Sequence, residues 1–435
     1  MKRTALSLAI VLALVGVACT SGGGSAGSNG GSSNGVVHLV MWMGYTPPPP
    51  ANAYEYLSLK KQVDEFNATH KDINVSIRYV NSDTSLEKLT VALQGNEQPD
   101  IAYMYGSNMP QFATTPKVVD LTDRIKNDPS FNWNDFFPGE RAVATVDGRI
   151  LGIPALVDNL ALVYNKQLFD QAGLSYPTAD WTWNDLRSAA KAITDTAKRQ
   201  FGWAFWFDGT ESTVWLYDAM LWEAGGELLS SDGSKAAFNS PAGVEALTML
   251  QQLHQDGSVY LDYHPDSGKS EELFNSGKLG MFITGPWDLP AFPKVNYGVQ
   301  IMPAFQNHQS IAGPDNWVIL DNGTARVDAS WTFLRWFTSP ENLLQDSIAT
   351  GHLPTRASVQ NLPGFAKFTS KFPGTDVFAQ NLSNVTQARP SIVAYPQISQ
   401  LIGTAIQQAV LGQKTPQEAL DEAAKQADAI LAIPQ

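Results

Sequence analysis

The chain has 435 residues, of which 43% are hydrophobic and 16% charged, too long for one small module and too apolar for a disordered chain. About two globular domains are expected at that length. With 42 Asp and Glu against 29 Lys and Arg, a net charge of -13, it lacks the positive surface that binding nucleic acid or an anionic membrane requires.

The N-terminus reads as an export signal over residues 1–18. Lys2 and Arg3 form a positive start, residues 5–18 are almost wholly apolar, and small residues lead into Cys19. That run is shorter than the roughly 20 apolar residues a membrane-spanning helix needs. Cys19 is the chain's single cysteine, so it makes no internal disulfide and no multi-cysteine metal site. Its position resembles the lipobox of bacterial lipoproteins, which implies an acylated Cys19 as membrane anchor. Residues 19–35 follow as a Gly/Ser-rich tether, a flexible coil reaching roughly 20 to 25 Å. Gly23-Gly24-Ser25-Ala26-Gly27 in that tether matches the spacing of a serine-hydrolase elbow, but the strand before and helix after that the motif needs are missing.

From Val36 the pattern alternates strand and helix. Val37–Trp42 is an apolar strand, Tyr54–Asn67 carries helical spacing, and residues 73–79 alternate like a strand, a βαβ start. Leu86–Gln94 reads as a further helix and Pro99–Met104 as a buried strand. Helix starts are marked by Thr182 with Asp185, by Ser339-Pro340, and by Thr415-Pro416 with Glu418, which combine capping boxes with proline at the first helical position. Residues 280–287 read as a strand stopped by Gly285-Pro286, with Trp287 just past its end. The fold class is therefore α/β, and no Pro/Gly/Ser-rich linker divides it.

Catalytic and metal signatures are weak. His38, His70, His254, His264, His308 and His352 are scattered without metal-ligand spacing and read as surface or satisfied core, and no Gly-rich phosphate loop precedes a helix. No catalytic residue, metal or cofactor is assigned. A carboxylate pair of the glycoside-hydrolase kind is defined by distance in space, so a secreted glycoside hydrolase stays open as a reading from a different class. The positive signal is aromatic residues beside polar ones at strand ends: Trp42 and Tyr45, Ser107 and Asn108, Asp158 and Asn159, and Trp287. Ligands of open α/β sheets bind beyond the carboxyl ends of the strands. An aromatic face suits the C–H face of a sugar ring while Asp and Asn bond its hydroxyls.

Several fragments in order resemble the solute-binding proteins of ABC sugar importers, the family that includes maltose-binding protein. They are Gln98-Pro99-Asp100-Ile101, Gly152-Ile153-Pro154 ahead of Leu162–Lys166, Trp181–Leu186, Ala224-Gly225-Gly226, Phe274–Lys278 leading to Gly285-Pro286-Trp287, and Lys294–Val299 ahead of Pro303. The resemblance implies two lobes with a ligand cleft between them, several hinge crossings and delivery of the loaded protein to a permease. It implies one lobe of residues 36–156 plus 306–353 and another of 157–305 plus 354–435, an extracytoplasmic monomer whose only membrane contact is its lipid anchor. Trp287 is the tryptophan expected to stack on a sugar ring, and Asp158 with Asn159 stands where the family often has an acidic ligand contact. Ser107 and Asn108 are uncharged where maltose-binding relatives carry charge. Trp42 and Tyr45 end the first strand, where the family places ligand contacts. Trp206, Trp215 and Trp317 are candidates to line the cleft, Trp317 from an expected loop at residues 313–317. Arg389, near Tyr395, offers a guanidinium fork for vicinal hydroxyls or for phosphate. The expected ligand is a neutral sugar, an oligosaccharide, with a glycerol-3-phosphate or glycerophosphodiester ligand as the alternative.

Overall fold

The computed structural model describes residues 35–48, 53–265 and 268–433; the export signal and nearly all of the tether, with Cys19, lie outside them. Twelve strands are present among the described residues: β1 (Val37–Met43), β2 (Ile73–Tyr79), β3 (Ile101–Met104), β4 (Thr145–Val146), β5 (Arg149–Ile150), β6 (Ile153–Asn159), β7 (Ala161–Asn165), β8 (Phe201–Trp206), β9 (Val259–Asp262), β10 (Leu279–Thr284), β11 (Tyr297–Gln300) and β12 (Ala312–Ile319). β4 and β5 form a small hairpin, and the other ten divide equally between two sheets.

The first sheet runs β2-β1-β3-β12-β6 and the second β11-β7-β10-β8-β9. β1 lies parallel to β2 and β3, while β12 runs antiparallel to β3 and β6. In the second sheet β8 is parallel to β9 and β10, and β7 is antiparallel to β10 and β11. The interior strands of both sheets are covered by helices, which is why β7 and β10 are buried along their whole length and read as unbroken apolar runs.

Each sheet organises its own core. Leu39, Met41, Phe66, Ile153, Trp317 and Phe333 pack around the first. Trp183, Trp203, Phe205, Tyr217, Trp222 and Ile402 pack around the second. Only Leu160 separates β6 from β7, so one passage between lobes is a single residue long. The boundary expected between residues 156 and 157 falls inside β6, whose ladder with β12 continues through Val157 and Asp158 to Asn159. The second passage, from β11 to β12, also comes later than residue 306, because Ile311 still packs with the second core. After the helices Thr324–Phe337 and Pro340–Thr350 the chain returns, and Tyr395–Val410 and Pro416–Leu431 complete the second lobe.

The capping logic is realised. Thr182 and Asp185 close a capping box at the start of Trp183–Ile193, and Thr415 and Glu418 do the same for Pro416–Leu431. Ser339 accepts from the Asn342 N–H with Pro340 at the first helical position. The strand around residues 313–317 is a correction: these residues are not a loop but part of β12, which accommodates them through a register shift between Asp315 and Asn316. Thr415→Ala removes a side-chain acceptor from an otherwise open helix start, and thermal or urea unfolding should show a loss of about 1 kcal/mol.

Candidate functional site

The carboxyl ends of β1, β3, β8 and β10 open onto one cavity of about 780 Å³, lined by both lobes, within the size range of small-molecule sites. Its floor on the second lobe is aromatic. Trp287 lies nearly parallel to Trp206 at 6.5 Å between ring centroids and to Trp215 at 5.8 Å. Gly285 makes this possible, because a Cβ there would stand 1.9 Å from the Trp287 ring. The Trp215 indole N–H is buried with no hydrogen-bond partner among the described residues, a donor left over for a bound molecule.

Polar groups surround this face. On the helix Glu211–Glu223, residues 211, 215 and 218 recur at helical spacing and share one side. Glu211 accepts from Arg389 at 2.9 Å and from the Tyr395 hydroxyl at 3.0 Å, and also from the Ser399 hydroxyl. Burial would favour the neutral form of Arg389, but Glu211, Tyr395 and Asp315 reverse this and raise its pKa. From the first lobe, Asp315 accepts from the Tyr103 hydroxyl at 2.5 Å and from the Gly106 N–H at 3.1 Å. Burial lifts Asp315 to about 6 against the opposing pull of Arg389 and these donors. Asp288 accepts from the Thr284 hydroxyl at 2.5 Å, and burial raises it to about 7.

Of the residues anticipated from the sequence, Trp287, Trp206, Trp215, Asp158, Tyr45, Ser107, Asn108, Arg389 and Tyr395 line this cavity. Three do not. Trp42 is buried with the Arg78 guanidinium 5.3 Å over its ring. Trp317, 3% exposed, packs edge-on to Tyr103 and Phe337 in the first core. Asn159 turns inward, its amide donating to the Phe378 carbonyl at 2.8 Å and its oxygen accepting from Asn381 at 3.0 Å. Strand alternation explains the first and last: neighbours on a strand point to opposite faces. Sequence reasoning missed Tyr54, Glu55, Tyr103, Glu211, Asp288, Asp315 and His352, all of which line the cavity. Asp288 was one residue from an anticipated site, and Asp315 lay in the segment singled out for Trp317. His352 carried no local signal.

Two sheets joined by strand crossings, with a cavity between them, define the class of two-lobed periplasmic binding proteins. The model of the bacterial extracellular solute-binding proteins matches residues 51–343, and the chain belongs to that family. The structure of an ABC transporter solute-binding protein from Thermotoga lettingae TMO, bound with alpha-D-tagatose, is similar with a TM-score of 0.78 at 29% identity, covering 91% of this chain and 100% of that one. The cyclic alpha-maltosyl-1,6-maltose binding protein from Arthrobacter globiformis gives 0.72 at 28%, over 91% and 99% of the two chains. The sn-glycerol-3-phosphate-binding periplasmic protein UgpB of Escherichia coli is 26% identical over 404 residues, 86% of this chain and 90% of that protein. The chain is thus a binding protein and not a glycoside hydrolase. Among the described residues, no helix is long and apolar enough to cross a membrane.

The raised Asp288 carboxyl has a consequence for stability. A carboxyl that holds its proton in the folded state up to about 7, but releases it near 4 when unfolded, costs stability as pH rises through that window. Asp288→Asn removes the cost, so its melting temperature relative to wild type should climb between about pH 4 and pH 7 and then level off. Parallel melting curves across that range would contradict the burial of this charge.

Proposed function

We propose that this protein captures a neutral saccharide of more than one ring, closes its lobes over it and presents it to the membrane subunits of an ABC importer. The observation that carries the reading is the lining of the cavity. Trp206, Trp215 and Trp287 supply flat apolar faces, and seven acidic side chains stand among the lining residues against two basic ones, Arg389 and His352. Carboxylates accept from sugar hydroxyls, and aromatic faces cover the C–H faces of the rings. Trp287, Trp206, Trp215 and Tyr45 would cover the rings, and Asp158, Ser107, Asn108, Arg389 and Tyr395 would take the hydroxyls. Closure is by rotation of the two lobes about Leu160 and the neighbouring passages. The protein acts as a monomer, held outside the cytoplasm by acylated Cys19.

A second reading, a glycerol-3-phosphate or glycerophosphodiester ligand, is favoured by the similarity to UgpB. A phosphate needs several concentrated donors. Arg389 already serves Glu211, and the surrounding carboxylates repel an anion, so the saccharide reading is preferred.

A thermal-shift panel of di- and oligosaccharides, polyols, glycerol 3-phosphate and glycerophosphocholine separates the two, because a ligand of the native state raises the melting temperature. A shift with a neutral oligosaccharide that chromatography recovers unchanged is expected; a shift confined to the phosphorylated compounds would establish the second reading. Calorimetry on Trp287→Ala should show a loss of about 2 kcal/mol or more for the same saccharide, the scale of an aromatic hot spot. Wild-type affinity in that variant would remove Trp287 from the site. For the anchor, Cys19→Ser should move the protein from the membrane fraction to the soluble fraction, and continued membrane attachment would rule out acylation there.

A further inference from the structure

His352 follows Gly351, the left-handed residue (φ +88) that ends the helix Pro340–Thr350, on the stretch by which the chain returns to the second lobe. A Cβ on Gly351 would stand 2.4 Å from the Pro286 carbonyl oxygen, so this backbone is pressed against the turn that carries Trp287. His352 is 3% exposed. Its Nε2 lies 2.8 Å from Glu55 Oε1, and its Nδ1 bonds Asp158 Oδ2. The other Asp158 oxygen accepts the Leu353 N–H at 2.9 Å. The ring stacks on Tyr45 at 6.2 Å and leans on Trp287 at 6.4 Å.

With both carboxyls ionised their oxygens only accept, so both ring nitrogens donate, and only the imidazolium carries two N–H groups. We propose that His352 is the positioning residue of this cavity: an imidazolium that fixes Asp158 and Glu55 through its two N–H bonds and seats Trp287 through its ring. Its consequence for affinity rests on the cavity being the ligand site; its protonation and its hold on Trp287 do not.

The groups facing the ring are Tyr45 from the segment after β1, Glu55 from the helix Tyr54–Thr69, Asp158 from β6, Asp288 from the turn after β10, and Asp346 from the helix Pro340–Thr350 that precedes it. They are four carboxyls and a phenol. Burial alone would strip the proton, but Asp158 and Glu55 outweigh it and raise the imidazole well above its ordinary value. The arrangement is therefore intact at neutral pH and is lost as pH rises through that raised value.

The test reads histidine nitrogens by NMR in protein labelled with 15N-histidine, in the absence of any saccharide. One of the six histidines should keep both ring N–H groups at pH 7.5, where a histidine of ordinary pKa near 6.5 is about nine-tenths neutral, and His352→Gln should delete that signal. Tryptophan fluorescence against pH should show a step with the same alkaline midpoint, absent in His352→Gln and in Trp287→Phe. Should His352→Gln fail to fold, Glu55→Gln still decides: losing one carboxylate must move both midpoints to lower pH. A singly protonated His352 at neutral pH, an unmoved midpoint in Glu55→Gln, or no fluorescence step would each overturn the proposal.

Discussion

The cluster of Asp158, His352 and Glu55 is the interaction on which the cavity depends. Asp158 stands two residues before the chain leaves the first sheet, Glu55 opens the helix Tyr54–Thr69, and His352 lies on the later return. Three separate stretches therefore meet at one buried ion group. Burying such charges is costly, and the arrangement holds because each charge has a partner with which it is also hydrogen-bonded. Two carboxylates share one imidazolium, so removing His352 leaves two like charges facing each other without a cation between them. The same cluster explains why Gly351 is needed: the chain must turn with positive φ against Pro286 to bring His352 under Trp287.

A second consequence concerns how charge is spent around the cavity. Arg389 is bound to Glu211, and Tyr103 donates to Asp315. These donors orient acceptors and present little free positive charge to a ligand. What the cavity offers is an excess of acceptors, aromatic faces and the unpartnered Trp215 indole N–H. A molecule rich in hydroxyls, each able to donate and accept, complements that inventory; a molecule whose recognition needs concentrated donors does not.

Much of the fold was legible because it is written locally. Residues 37–42, 54–67 and 73–79 have the periodicity of the elements they form, and the Thr182 and Thr415 boxes mark real helix starts. The helix expected at Leu86 begins at Ser82, four residues earlier, since its first turn carries no apolar repeat. The candidate site was legible at strand ends that carry aromatic or polar residues, as at Tyr45, Ser107, Asp158, Trp206 and Trp287, and through the family resemblance at Arg389 and Tyr395. Trp42 and Trp317 satisfied the same composition rule, yet their strand positions face the core. Glu55, Glu211 and His352 were hidden because their roles come from partners 178 to 297 residues away, and no local pattern encodes such a distance.

Contacts between lobes pass through the aromatic floor itself. Tyr54, from the first lobe, donates its hydroxyl to the Trp287 carbonyl at 2.8 Å. Trp215, from the second, reaches β12, where a Cβ on Gly313 would lie 3.4 Å from its ring. Gly313 is paired with Asp158 across the β6–β12 ladder, so the strand position that receives Trp215 is coupled directly to the carboxylate held by His352. Opening the lobes would separate Trp215 from Gly313 and Tyr54 from Trp287 together. A ligand that touches both lobes favours the closed arrangement by its differential affinity for it. Because the rings that would bind a saccharide are also the groups through which the lobes touch, ligand capture and closure draw on one set of contacts, and a change at either is felt at the other.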